Sequence, residues 1–305
     1  MSIASEISRI KNNIASAYTA CGNQGATIPT SQNSANLANC ISSISGSGTY
    51  PIGIPRGVDS NGVYGYPTNY FSFALPSNAT SLRSGILKEN FRDCQTITSV
   101  DLSSLTEITG TGTLSYFCSN CQNLTSVDLS NVVTVNGSGV LVNAFEKTSI
   151  TSVDLSSLQS VSGGSAMSST FLDCPLINSI DLSSLTTLSG AGAMFPNTFA
   201  LSNSPTSPLP LTSVTFTSLS SIGGTAPMRN MFQRRDGLEI FFPALTPNSF
   251  QGQLTTYFDN LVNNAVGCTV HFPSNMQAVI GSWSSVQNGF DGVNTTVLWD
   301  LPANN

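Results

Sequence analysis

Charged residues are scarce in this chain of 305 residues, which has 10 Lys and Arg and 16 Asp and Glu, together 9% of the sequence. Ordinary soluble domains carry about 25% charged residues. The net charge is -6, and the few basic residues form no cluster. Because nucleic acids and anionic membranes hold proteins through clustered Lys and Arg, we expect neither of them as a partner.

Histidine occurs once, at position 271. A Ser or Cys nucleophile normally relies on a histidine base, so a single histidine excludes most hydrolytic enzymes. No Ser lies in a G-x-S-x-G elbow, and the glycine patterns that bind phosphates are absent. We therefore expect no enzymatic activity and no cofactor.

The first residues lack the basic start and the apolar stretch of a secretory signal, and no run of 18 apolar residues occurs. The seven cysteines are an odd number. We therefore expect a chain that is made in the cytoplasm with free thiols and has no segment inserted in a membrane.

A repeat of about 27 residues organises the middle of the chain. The segment ITSVDLSSL at 97–105 recurs with changes at 124–132, 150–158, 177–185 and 211–219. The central β-branched residues of these copies are separated by steps of 27, 26, 27 and 34 residues. The long step contains an insertion, 203–210, which we expect to form a loop. With weaker copies on both sides, about nine rungs cover residues 71–299.

Each copy alternates apolar and polar residues, which is typical of a short strand with one buried face. In the copy at 97–105, Val100 and Leu102 point inward and Asp101 points outward. One aromatic residue also recurs in each unit, at Phe91, Phe117, Phe145, Phe171, Phe199 and Phe232. Because so small a unit cannot bury its own apolar face, the pattern predicts a solenoid of stacked units with parallel strands.

These residues resemble the leucine-rich repeat of the bacterial surface-protein subclass. The resemblance is carried by an F-x-x-C pair, a strand and a short crossing segment: Phe91, Cys94, Ile97, Val100, Leu102, Leu105 and Ile108. Phe171 and Cys174 repeat the F-x-x-C pair. The resemblance implies a leucine-rich-repeat-like parallel β stack and says little about function, because the subclass serves many kinds of binding.

The amino-terminal block differs from the repeats. Apolar residues at steps of four and three form a heptad seam: Ile3, Ile7, Ile10, Ile14, Ala17 and Cys21. A second short helix is predicted around 37–44. The two helices form either a hairpin packed on itself or an oligomerisation module through Ile3, Ile7, Ile10 and Ile14. Isoleucine at both seam positions favours three or four strands over two, so the second interpretation predicts a homotrimer.

This block also resembles a short amino-terminal module of phage tail and fibre proteins. In that module an ISRIKNNI-type helix is followed by a glycine turn and a second helix, and residues 7–14 and 22–44 carry the likeness. The resemblance implies attachment to other virion proteins through these helices.

The carboxyl-terminal region predicts a cap for the solenoid. Residues 254–262 and 276–283 have helical spacing, and two helices flanking strands at Val270 and Val297 would cover the last rung. The predicted organisation is a helical attachment or trimerisation module at 1–48, a connector and first rung at 49–90, the repeat solenoid at 91–245 and an α/β cap at 246–305.

Four carboxylates occupy the same position in successive rungs: Asp101, Asp128, Asp154 and Asp181. Adjacent strands lie about 4.8 Å apart, so these side chains should form a column. Like charges at that spacing raise one another's pKa or recruit a cation. A solvated ladder relieved by neighbouring Ser hydroxyls is the simplest interpretation, and calcium bridging or ligand contact is the alternative. The even repetition lacks the unequal carboxylates that a glycosidase requires.

Toward the carboxyl end the same column changes character, continuing with Thr215, Phe241, His271 and Leu298. Together with Trp283 and other aromatic residues, Phe241 and His271 form either an aromatic platform for a ligand or the packing of the cap. We expect His271 at the surface. Cys118 and Cys121 are predicted to be buried in the repeat, and no metal site is expected.

The leading functional hypothesis is a non-enzymatic virion structural protein of tail-fibre or receptor-binding type. Its repeats would present a surface to a host glycan or protein, with Asp101, Asp128, Asp154, Asp181, Phe241, His271 and Trp283 as candidate ligand contacts. The alternative is a bacterial surface or adhesion leucine-rich repeat protein. Export distinguishes the two, and the missing signal favours the virion over the bacterial cell surface.

Overall fold

The computed structural model describes residues 8, 10–18, 30, 57–58, 64–65, 72–75, 77–82, 84–252 and 256–304. The chain divides into two units, Met1–Pro51 and Ile52–Asn305. In the first unit residues 8 and 10–18 are helical. Ile3, Ile7 and the second predicted helix lie outside the described residues.

The second unit is built from short parallel strands on two faces. The first face carries nine: β3 (Ser72–Ala74), β4 (Ser99–Asp101), β6 (Ser126–Asp128), β8 (Ser152–Asp154), β10 (Ser179–Asp181), β12 (Ser213–Thr215), β14 (Glu239–Phe241), β15 (Thr269–Pro273) and β16 (Thr296–Leu301). The second face carries five: β5 (Glu107–Thr109), β7 (Thr134–Asn136), β9 (Ser160–Ser162), β11 (Thr187–Ser189) and β13 (Ser221–Ile222). An antiparallel pair, β1 (Gly57–Val58) and β2 (Tyr64–Gly65), precedes them.

The strands confirm a parallel β-solenoid. On the second face the order β5-β7-β9-β11-β13 is continuous, whereas the first face is hydrogen-bonded in three pieces, β3-β4-β6, β8-β10 and β12-β14-β15-β16. Among the described residues, nine strands on the first face bound about eight turns of the solenoid. The leucine-rich-repeat assignment stays a prediction.

A third face consists of consecutive turns rather than of helix or strand. Alternate amides donate to carbonyl groups of the next coil, as Glu89 does to Ser115 at 2.9 Å and Phe91 to Phe117 at 2.8 Å. Every fourth residue has a positive φ, for example 58° at Glu89 and 60° at Asp93. Asparagine tolerates this left-handed conformation better than most residues. It occupies such positions at Asn120, Asn143, Asn197, Asn230, Asn260 and Asn264.

Phenylalanines from the turn face form the predicted buried column through the core. All six recurring phenylalanines have no exposed surface. The rings of Phe145, Phe171 and Phe199 are stacked, with successive centroids 5.5 Å apart. Stacked and edge-on rings at 4.5–7 Å attract each other beyond the area they bury. The column therefore ties each coil to the next.

The cysteines of the F-x-x-C pattern satisfy main-chain groups at a corner of the coil. The Cys121 thiol donates to the Phe91 carbonyl at 2.9 Å, and the Cys174 thiol donates to the Phe145 carbonyl at 3.1 Å. The five cysteines within the described residues are buried and form no disulfide. Burial raises the pKa of the Cys174 thiol above its ordinary value. These cysteines stay protonated donors at neutral pH.

The cap differs from the prediction in its first half. Residues 256–264 are not a helix but continue the turn face, and the Phe232 amide donates to the Leu261 carbonyl at 2.9 Å. The prediction was wrong because left-handed residues recur every four positions on this face, close to the helical period. The second half contains two four-residue helices, Gln277–Ile280 and Ser284–Gln287, with 3-10 turns at Ser274–Met276 and Gly289–Asp291.

In the described part of the chain, no helix combines the length and apolar character needed to cross a membrane.

Candidate ligand surface on the first face

The aspartate column lies on the outward side of the first face, as the sequence predicts. Asp101 pairs in register with Asp128, and Asp154 pairs with Asp181. All four side chains are exposed. Their positions follow from strand alternation, because the valine or isoleucine between Ser and Asp points into the core.

Each aspartate also closes the turn that follows its strand. The Oδ1 atom accepts the backbone amide two residues ahead, from Ser103, Ser130, Ser156 and Ser183, at 2.9–3.0 Å. At the first two aspartates the serine hydroxyl donates to the same oxygen, at 2.6 Å from Ser103 and 2.7 Å from Ser130. Such a turn fixes the carboxylate orientation while leaving Oδ2 toward solvent.

These hydrogen bonds correct the expected electrostatics at the first aspartate. The hydroxyl and then the amide of Ser103 lower the pKa of Asp101, although partial burial acts in the opposite direction. The column at Asp101 is therefore governed by local hydrogen bonds and not by repulsion between stacked charges. Within the described residues, no group of three His, Cys, Asp or Glu side chains is placed to hold a metal ion.

The ladder of the first face is interrupted between β10 and β12. The Leu155 amide donates to the Asp181 carbonyl at 3.0 Å, and the Phe216 amide donates to the Phe241 carbonyl at 2.9 Å. The equivalent amide of Leu182 makes no such bond to β12, and the two strands belong to separate sheets. On the second face β11 and β13 remain paired. We call this interruption the seam.

A groove of about 620 Å³ lies over the seam. It is lined by polar side chains with an apolar floor: Ser152, Val153, Asp154, Asn178, Ser179, Ile180, Asp181, Leu182, Ser183, Ser213, Thr215 and Thr217. Ile180 is partly exposed there, whereas the inward residues Val100 and Val153 are 2% exposed. The seam therefore opens the core face of β10 to the groove.

A second groove, of about 420 Å³, lies over β4 and β6. Asp101, Asp128, Asp154 and their neighbouring serines line it. The two grooves together bring all four predicted aspartates into one polar surface.

Phe241 and His271 follow in the same column but do not extend this polar surface. His271 is paired in register with Phe241 and Leu298. Its ring stacks on Phe241 with a centroid distance of 4.2 Å, and its Nδ1 lies 3.0 Å from the Asp300 carboxylate. His271 is only 8% exposed. The expectation of a surface histidine was wrong because Asp300, two residues beyond the paired position, reaches back over the ring.

Trp283 lies away from the aspartate column and packs within the cap. Its ring lies 4.9 Å from Phe250 and 5.8 Å from Tyr257, measured between centroids. Trp299 stacks on Phe272 at 5.5 Å. These contacts favour cap packing over the aromatic platform. A ligand role for Trp283, Phe241 or His271 stays a prediction.

The seam is the feature that sequence reasoning missed. Its only signal was the step of 34 residues between Ile180 and Val214, where neighbouring steps are 26 and 27. The extra residues form the predicted loop, but they also displace β12 from β10. A long step in a repeat therefore marks a break in the sheet as well as a loop.

The oligomerisation residues are only partly described. Ile10 is 46% exposed and Ile14 is partly buried. An exposed isoleucine is compatible with either interpretation of the helix, so the homotrimer stays a prediction. Cys118 and Cys121 are fully buried, as expected.

No protein-family model matches the chain, and no curated protein matches it either. The two family resemblances seen in the sequence therefore stay predictions.

Proposed function

We propose that the protein is a non-enzymatic virion structural protein of tail-fibre or receptor-binding type, whose first face recognises a cell envelope. The observation that carries the proposal is the regular outward surface of that face. Over four coils it presents Ser and Asp side chains at fixed spacing, with each carboxylate oriented by a turn. A rigid and repeated polar surface suits recognition of a repeated envelope component.

The arrangement around the only histidine supports a non-enzymatic role. Its Nδ1 faces Asp300, while its buried Nε2 has no hydrogen-bond partner in the described structure. A histidine base would need a nucleophile or a substrate proton within hydrogen-bond reach. His271 instead joins the last two strands of the first face.

The amino-terminal helix supports attachment to other virion proteins. Residues 10–18 are helical, and the exposed Ile10 offers apolar surface on a segment otherwise rich in polar residues. Under this proposal the helix anchors the chain in the particle and the solenoid projects the first face.

Immunoelectron microscopy of purified virions tests the proposal, with an antibody raised against residues 91–245. We expect label on the particles and none on uninfected bacteria. Pre-incubating the antibody with the purified protein should remove the label and serves as the control. Label confined to the bacterial envelope would instead support the surface-adhesion alternative and contradict the proposal.

A further inference from the structure

We propose that the groove over the seam is a saccharide-binding site for neutral or amino-bearing sugars of the cell envelope. This inference rests on the proposed recognition function and assigns it a site and a ligand class. The groove volume of about 620 Å³ lies within the usual range for small-ligand sites.

Two carboxylates in the groove are prepared to accept ligand hydroxyl groups. Asp154 and Asp181 each use Oδ1 for a backbone amide, from Ser156 at 3.0 Å and from Ser183 at 2.9 Å. No protein group is bonded to either Oδ2 atom in the described structure, and both side chains are exposed. A carboxylate held by one oxygen loses little freedom when the other accepts a sugar hydroxyl.

The seam supplies main-chain groups that the rest of the face does not. The Asp181 carbonyl bonds back to β8, so by strand alternation the amide and carbonyl of Ile180 point toward β12. They have no ladder partner there, because β10 and β12 are not hydrogen-bonded to each other. A ligand with both donors and acceptors, such as a sugar, can satisfy such groups.

The floor of the groove completes a surface suited to a sugar. Ile180 is partly exposed there, between the hydroxyl-bearing side chains of Ser179 and Ser213. An apolar patch flanked by a few fixed polar groups is the usual composition of a ligand site. The C–H face of a sugar ring would lie on Ile180 while its hydroxyls reach Asp154 and Asp181.

The charge of the lining selects among ligands. The groove contains two carboxylates and no Lys or Arg, so it disfavours uronic acids and phosphates. It also lacks a third ligating side chain for a metal ion, as does the rest of the described structure. Neutral and amino sugars remain as the class that the groove fits.

The test uses the purified full chain on an array of immobilised neutral, amino-bearing and uronic-acid glycans, with binding to bacterial cells measured in parallel. We expect binding to neutral or amino glycans and none to uronic-acid glycans. The test variant is Asp154→Asn combined with Asp181→Asn. Asparagine keeps an oxygen for the serine amides while replacing the free acceptor with a donor, so folding is preserved and glycan binding should fall about tenfold or more.

Asp101→Asn combined with Asp128→Asn is the matched control, because these residues belong to the same column but lie away from the seam. It should bind glycans within about twofold of the unmodified chain. A third variant, Thr215→Trp, fills the groove without touching either carboxylate and should abolish binding.

The outcomes separate the site from the function. If the control pair loses as much binding as the seam pair, or if Thr215→Trp binds normally, the seam is not the site and the inference fails. If the chain binds cells but no glycan, the ligand is a protein and the inference fails while the recognition function stands. Absence of binding to cells as well as to glycans would overturn both.

Discussion

Single side chains in this protein serve mainly to satisfy main-chain groups that a coil cannot satisfy by itself. The serine amide after each strand is bonded by the aspartate, and thiols bond carbonyl groups at the corner. The fully buried Arg235 replaces a cysteine there and donates to the carbonyls of Phe199 and Cys174 at 2.8 and 2.7 Å. Burial lowers its pKa to about 10, so it remains a cation at neutral pH.

The aspartate turns make a prediction about stability and its pH dependence. Asp101→Ala should lower the free energy of unfolding at pH 7 by about 1 kcal/mol, as loss of a helix cap does, because the exposed site is screened by solvent. Hydrogen bonds from Ser103 lower the folded pKa of Asp101 below 3.8. Its contribution is therefore complete above the unfolded pKa and is lost as the pH falls through the folded value.

Urea denaturation of both proteins between pH 7 and pH 2 measures this difference, which should shrink toward the acid end. Asp101→Asn keeps the acceptor oxygen and should cost less than Asp101→Ala. An alanine variant as stable as the unmodified protein at pH 7 would show that the turn contributes nothing.

The phenylalanine column makes a second prediction at this scale. Phe171→Ala removes a fully buried ring stacked on two neighbours and should destabilise the protein by about 3–5 kcal/mol. Leu176→Ala, in the same coil, removes a side chain that is 50% exposed and should change stability by no more than about 0.5 kcal/mol. Thermal and urea unfolding of the two variants provide the comparison. Equal effects would mean that the column does not carry the core.

At the scale of elements, the strands could be predicted from the sequence and the turn face could not. Period-two alternation around Val100 and its equivalents fixes the inward face of each strand, and the structure confirms it. The turn face depends on positive φ values at residues such as Glu89 and Lys147, whose side chains give no signal for that conformation. Residues 256–264 were predicted as helix for the same reason, since apolar spacing alone does not distinguish recurring turns from a helix.

Of the candidate site, the sequence predicted the aspartate column and its register, because both follow from the repeat. It did not predict the turn bonds that lower the pKa of Asp101, nor the burial of His271 by Asp300. Those depend on contacts between residues that only the fold brings together. The seam could not be located either, because a longer step does not show which face of the solenoid it opens.

The seam makes a prediction about local protection. The Leu155 amide bonds to the Asp181 carbonyl within an intact ladder, whereas the equivalent Leu182 amide has no such bond to β12. Both side chains are buried, so the comparison isolates the hydrogen bond. Native-state hydrogen exchange by NMR should find Leu182 exchanging at least about tenfold faster than Leu155. Equal protection of the two amides would mean that the ladder is continuous in solution.

At the scale of the whole molecule, the solenoid assigns different tasks to its faces. The second face is a continuous sheet, and the turn face is held by bonds between successive coils and by the phenylalanine column. Only the first face combines an exposed polar surface with an interruption of its sheet. Stability and recognition are thus carried by different parts of the same coils, so the recognition surface can vary without loss of the fold.

The most direct test of the account compares the first and second faces within the same two coils. The variant pairs are Ser152→Arg with Ser179→Arg on the first face, and Ser160→Arg with Thr187→Arg on the second, each pair lying on adjacent strands in register. Binding of the fluorescently labelled full chain to host cells is measured for both. The account predicts that the first-face pair loses binding by about tenfold or more while the second-face pair binds as the unmodified chain does. Loss of binding in the second-face pair alone, or in neither pair, would contradict it.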